Sequence, residues 1–152
     1  MKFPEVDGSN LEYRAFKLPY DFQGVLNIVI ISFKRSYQII INKWISFLNK
    51  LVKTYPVVEY YELYTVNRRF KSTRFMIDEG MRSCIPNRFI RERSITLYIR
   101  KKQFKKALEI PNEKNVYLFL VKSDGEVIWD TSGSFDDKKG EELRKKINKL
   151  TR

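Results

Sequence analysis

The sequence predicts an α/β protein, a central β-sheet flanked by helices. Three observations predict it. Residues 25–33, VLNIVIISF, are dominated by apolar and β-branched residues, typical of a strand covered on both faces. From Ser36 to about Lys53, Tyr37, Ile40, Ile41, Trp44, Leu48 and Leu51 recur at spacings of three and four, the period of one helical face. Then VVEYYELYTV, 57–66, is β-branched and aromatic enough for a second strand, and strand, helix and strand together imply a parallel pair.

The remaining elements follow in order. Residues 1–23 are expected to form an N-terminal arm, extended and irregular over 11–22 around Pro19. Ser36 is expected to cap the first helix, and Pro56 closes that segment. The span 70–85 reads as a helix stopping at Pro86, SITLYI (94–99) as a third core strand, and KKQFKKALEI (101–110) as a short basic helix ended by Pro111. In VYLFLVKSDGEVIWDTSG, 116–133, two strand-like runs flank Ser123-Asp124-Gly125, and Asp-Gly supplies the positive φ that a tight hairpin turn requires. A last helix is expected after Ser134, starting at Asp136-Asp137, with Leu143, Ile147 and Leu150 on one face.

With 152 residues, the chain suits one domain that buries roughly two-thirds of its unfolded surface. Its composition, 43% hydrophobic and 14% aromatic, is that of a packed globule. No repeat is visible. The most apolar stretch, VLNIVIISF, has nine residues and precedes Lys34-Arg35, too short for a transmembrane helix. The first twenty residues hold no apolar h-region and carry early acids, so neither a secretory signal nor a transit peptide is read, and a cytoplasmic location is expected.

Residue inventory removes several chemistries. There is no histidine and one cysteine, Cys84, which excludes Ser/His triads, Cys/His dyads, histidine metal sites and an internal disulfide. The six glycines are scattered and build no phosphate loop. Asp78-Glu79 stand isolated, and Glu141 and Glu142 are placed to pair with Lys145 and Lys146, so no pair of carboxylates suits metal-dependent hydrolysis. Neither a cofactor nor a metal is expected.

Charge is the anomaly. The chain carries 30 Lys+Arg against 18 Asp+Glu, a net charge of +12. Thirteen of those bases and only three acids fall between Asn67 and Lys106. Such a block favours anionic partners through a long-range, salt-sensitive potential. Its candidate contact residues are Arg68, Arg69, Arg74, Arg88, Arg91, Arg93, Arg100, Lys101 and Lys102. Phe70, Phe75, Phe89, Tyr98 and Phe104 interleave with them as in single-strand binders that stack bases, although these rings are expected to face the core. Tyr60 and Tyr64 alternate with Tyr61 across a strand, so some hydroxyls should reach solvent.

An arm carrying FPEVDG and FKLP, a strand NIVIISF entering a helix, and the hairpin YLFLVKSDGEVIWDTSG before a terminal helix resemble the thioredoxin-like superfamily with a peroxiredoxin-type arm. The resemblance covers nearly the whole chain and implies a three-layer sandwich with a central mixed sheet. In that superfamily the turn after the first core strand presents a CxxC or a lone peroxidatic cysteine at a helix N-terminus, where amide dipoles stabilise a thiolate. The corresponding turn here, Ser36-Tyr37-Gln38-Ile39, holds no thiol, and no histidine exists to activate the serine. The superfamily's cis-proline should fall near Asn115 or Val116, where no proline stands. Among redox-inactive members, Ser32, Phe33, Arg35, Gln38, Trp44, Ile128, Trp129 and Gly133 resemble the pattern of the ATP synthase assembly factor group.

That resemblance implies a protein-binding, assembly or chaperone-like module whose partner is another protein, acidic or membrane-associated. Its candidate binding residues are Lys34, Arg35, Ser36, Gln38 and Trp129. For the first four, helix capping and solvated charge compete with an anion or peptide-carboxylate site at the helix start. One alternative is nucleic-acid binding through residues 68–106. A second is a one-cysteine peroxidase using Cys84, whose thiol Arg82 and Arg88 would activate; the competing reading is an inert, partly buried thiol.

Overall fold

The computed structural model describes residues 1–152. The elements run β1 (Val6–Asn10), β2 (Ala15–Leu18), β3 (Leu26–Ser32), α1 (Gln38–Thr54), β4 (Val58–Asn67), α2 (Arg74–Cys84), α3 (Arg88–Arg93), β5 (Ser94–Ile99), α4 (Lys101–Ala107), β6 (Tyr117–Lys122), β7 (Val127–Ser132) and α5 (Asp137–Thr151). The seven strands make one sheet in the order β2-β1-β5-β4-β3-β6-β7. β3, β4 and β5 are mutually parallel, and every other neighbouring pair is antiparallel. This is the expected mixed sheet flanked by helices.

Every residue of β3 is buried because both faces of the sheet are covered. Val29 and Ile31 point to one side, where Tyr61, Leu63, Leu97 and Phe119 meet Phe3 and Phe16 of the arm and Phe104 of α4. Ile28 and Ile30 point to the other, where Tyr60, Leu118 and Leu120 pack on Ile41, Trp44 and Leu48 of α1 and Leu143 and Ile147 of α5. Alternate residues thus feed two cores, which is why the strand shows no polar period.

Several local expectations are corrected. The arm is not irregular: β1 and β2 form an antiparallel hairpin, and β1 pairs with β5 from Gly8↔Leu97 to Asn10↔Ile95. Polar side chains in VDGSN hid that strand, because its pairing partner is remote in sequence. Ser36 does not cap α1. It lies inside a 3₁₀ turn, Arg35–Tyr37, and the helix starts at Gln38 with no side-chain cap. The 70–85 segment divides into a 3₁₀ turn over Arg68–Thr73 and then α2. α3 was not expected from RFIRER, which has no apolar period; the Asn87 side chain caps it by accepting the Ile90 N–H. α4 ends three residues early, with Glu109 at φ 55. On α5, Leu143 and Ile147 are buried but Leu150 is exposed.

Tyr60 and Tyr61 are also buried rather than reaching water. The Tyr60 hydroxyl donates to Asn49 Oδ1 at 2.7 Å, and the Tyr61 hydroxyl accepts the Gln23 N–H at 3.0 Å. Burial pushes Tyr60 up to about 12. Of the five rings interleaved with the basic block, Phe104 is buried, but Phe70, Phe75 and Phe89 are exposed.

Candidate functional site

At the end of β3 the chain leaves the sheet through buried Phe33, turns at extended Lys34, and makes one 3₁₀ turn before α1. Lys34, Arg35 and Ser36 are exposed. Arg35 does not simply extend into water: its guanidinium crosses to α2 and donates from Nη2 to the Ile77 carbonyl at 3.0 Å. Gly80 makes this possible, since a Cβ there would meet the Arg35 guanidinium. Lys34 lies over the Tyr37 ring at 5.8 Å.

Gln38 turns inward. Its Nε2 donates to Glu62 Oε1 at 3.2 Å and to Asn42 Oδ1 at 3.0 Å. Glu62 sits in the middle of β4, 5% exposed, in a small cleft with Ser32, Arg35, Tyr64 and Ser94. Ser94 Oγ lies 3.3 Å from Glu62 Oε2 but 2.7 Å from the Ile90 carbonyl. A serine has one proton. The Ile90 carbonyl is the closer acceptor, so Glu62 receives the weaker share of that proton. Burial raises Glu62 to about 7 while the hydrogen bonds donated by Gln38 and Ser94 oppose the rise. No cation contributes to the balance at Glu62. Nothing in the sequence alone singles out Glu62: VVEYYELYTV holds two acids, and only the fold separates buried Glu62 from half-buried Glu59, which pairs with Arg93.

The other pattern residues meet beside the second turn of α1. The Trp44 indole N–H donates to the Gly133 carbonyl at 2.9 Å, and Gly133 in turn donates its N–H to the Val116 carbonyl at 3.0 Å. Gly133 has φ 86, a conformation that favours glycine. Ile128 and Trp129 are half-buried against the core beneath α1. Trp129 therefore lies on the hairpin, apart from the Lys34–Gln38 turn in sequence and anchored by packing. Where the resemblance places a cis-proline, Asn115 accepts the Val116 N–H through its own side chain at 3.1 Å.

Cys84 is the last residue of α2 and is exposed, not partly buried. Asp78 and Glu79 are not isolated. Asp78 is buried and accepts the Tyr98 hydroxyl at 3.0 Å, and its carboxyl is raised chiefly by burial; Glu79 accepts the Tyr13 hydroxyl.

The basic block separates into two populations. Arg91 Nε and Arg82 Nη2 hold Glu12 at 2.9 and 3.2 Å, Arg93 holds Glu59 at 2.6 Å, Lys101 and Lys105 share Glu113 at 2.8 and 2.7 Å, and Arg88 pairs with Glu92 at 3.0 Å. Arg93 also lies 3.7 Å over the Phe89 ring. Arg68, Arg69, Arg74, Arg100 and Lys102 are exposed and form no ion pair within the chain. The first four, with Lys17 and Lys71, line one groove of about 1180 Å³ between the arm, the 3₁₀ turn after β4 and the start of α4.

The family model described as ATP10 protein matches residues 1–150. The chain belongs to the ATP10 protein family. The resemblance read from Ser32, Trp44, Trp129 and their neighbours is thereby borne out. No curated protein sequence matches the chain. Among solved structures, the chain is similar to BsSco, a member of the Sco family of cytochrome c oxidase assembly proteins, with a TM-score of 0.68, 13% identity, and 97% of this chain and 92% of that one covered. Copper-bound ScoI from Arabidopsis thaliana gives 0.65 at 10% identity, covering 98% and 99%. The exposed lipoprotein thioredoxin Etrx1 from Streptococcus pneumoniae gives 0.63 at 6% identity, covering 94% and 99%. These likenesses show a thioredoxin-like fold. None of the chain's helices is long and apolar enough to cross a membrane.

Proposed function

We propose that this ATP10 family member is a protein-binding assembly module, chaperone-like in action, that works without thiol chemistry. One observation carries the reading: the turn where the fold presents a reactive thiol is occupied by Arg35, Ser36 and Gln38, two of them committed to internal hydrogen bonds with Ile77 and Glu62. A turn locked to α2 and β4 offers a shaped, static surface. Its outward part is Lys34, Ser36 and the exposed Ile39, a cation beside an apolar contact. Such a combination suits a protein partner with an acidic segment or one taken from a membrane complex. Family membership, in ATP synthase assembly, supports a protein partner and draws the expected location from the cytoplasm toward the membrane where that enzyme is built.

The test is peroxide reduction and insulin-disulfide reduction by the purified chain beside Cys84→Ser. Neither protein should turn over either substrate. Activity that disappears with Cys84 would replace this reading by an enzyme using the exposed thiol at the end of α2.

A further inference from the structure

The groove of about 1180 Å³ described above is larger than the roughly 300–1,000 Å³ of ordinary small-molecule sites. It is open, and most of the residues lining it are polar. Six cations face it: Lys17 from β2, Arg68, Arg69 and Lys71 from the 3₁₀ turn, Arg74 from α2 and Arg100 before α4. None makes an ion pair, whereas Arg82, Arg88, Arg91, Arg93, Lys101 and Lys105 all do. Gathering unpaired like charges along one groove costs self-repulsion, which an anionic ligand relieves, and concave walls focus the field that attracts one. Four of the six are arginines, whose planar forks take carboxylates in a bidentate grip.

We propose that this groove holds an extended acidic peptide segment of the partner protein. The inference rests on the reading of the chain as a protein-binding module and names the chemistry of what it binds. Two features favour carboxylates over a nucleic-acid backbone. The arm contributes Glu5 and Asp7 to the lining beside Lys17, and these acids repel a continuous phosphate chain but leave room for side chains that reach the arginines one by one. Free aromatic platforms for stacking bases are also few. The Tyr98 hydroxyl is bound to Asp78, Arg69 lies 4.8 Å over Phe70, and Phe75 stacks on Tyr13 at 6.4 Å away from the groove lining. Of the exposed rings, Tyr20 lines the groove, and its hydroxyl donates to Glu5.

The experiment is fluorescence anisotropy on the full chain, with a fluorescein-labelled ten-residue peptide of alternating Glu and Gly and a labelled oligothymidylate of matching net charge. Two double variants carry the same charge change: Arg69→Glu/Arg100→Glu inside the groove, and Lys102→Glu/Lys149→Glu outside it. All four positions are exposed and unpaired, so circular dichroism should be unchanged. The peptide should bind at low salt and weaken at least tenfold in the groove variant but less than twofold in the outside variant. Equal weakening in both variants, no peptide binding at low salt, or tighter oligothymidylate binding that the groove variant abolishes would each overturn the proposal. The thiol assays separate the two readings: no peptide binding with silent thiol assays removes the groove and leaves the module, while Cys84-dependent turnover removes the module whatever the peptide does.

Discussion

The Gln38 side-chain amide donates to the buried carboxyl of Glu62 across 3.2 Å, tying the first turn of α1 to the middle of β4. The bond spans the place where the fold elsewhere presents a thiol, and it puts a titratable group under the junction. Glu62 has its value raised by burial from 4.5 to about 7. The folded chain therefore keeps a proton that the unfolded chain loses as pH rises above 4.5, and stability falls between about pH 4.5 and 7. Glu62→Gln should flatten that limb and stabilise the protein above pH 7 by up to about 3 kcal/mol. Urea unfolding at pH 5 and pH 8 measures it; an unchanged pH slope in the variant would show that Glu62 is already ionised in the fold.

Trp44 is fully buried and holds the end of β7 through the Gly133 carbonyl. Trp44→Phe keeps most of the packing and loses the donor, for a cost of about 1–3 kcal/mol. Trp44→Ala adds a cavity and should cost about 3–5 kcal/mol. Denaturant midpoints of the two variants separate the hydrogen bond from the packing.

Gly8 and Gly80 make a contrasting pair. A Cβ on Gly8 would lie 2.6 Å from Leu97 Cδ2 and 2.8 Å from the Thr96 carbonyl, a backbone atom that cannot yield without parting β1 from β5. Gly8→Ala should destabilise by about 1–3 kcal/mol. Hydrogen exchange should show the loss concentrated in the arm.

At Gly80 the obstacle is the far end of the Arg35 side chain, which can swing away. Alanine is the better helix former by about 1 kcal/mol. Gly80→Ala should hold or raise the melting temperature while freeing Arg35 from Ile77, and a large loss of stability would show that the Arg35 clamp matters to the fold as well as to the surface.

The legible parts of the fold are those whose signal is local. NIVIISF declares β3 by its dense β-branched residues, Asp124-Gly125 declares the last hairpin, and Asp136 caps α5 by accepting the Lys139 N–H. β1 was hidden because what makes VDGSN a strand is its pairing with residues near 96. α3 was hidden because a cap and Arg91, which donates to the Ile85 carbonyl at 3.0 Å, hold it in place of an apolar face. At the candidate site, Arg35 and Gln38 were visible as residues, but their partners Ile77 and Glu62 were not. The basic block behaved alike: its paired members differ from its unpaired ones through Glu12, Glu59 and Glu113, acids mostly remote in the chain.

The β1–β5 pairing also gives the molecule a history. On a ribosome the arm emerges first, yet Leu97, the partner of Gly8, is made only after most of the core. Closing so long a loop is slow and costs entropy. Until the arm docks, β5 is the open edge of the sheet, with Ile95 and Leu97 awaiting cover, and such edges invite other strands. The arm is thus the exchangeable part of the architecture: a neighbouring copy emerging nearby carries the same strand, and two chains that trade arms become a swapped dimer without any change in sequence.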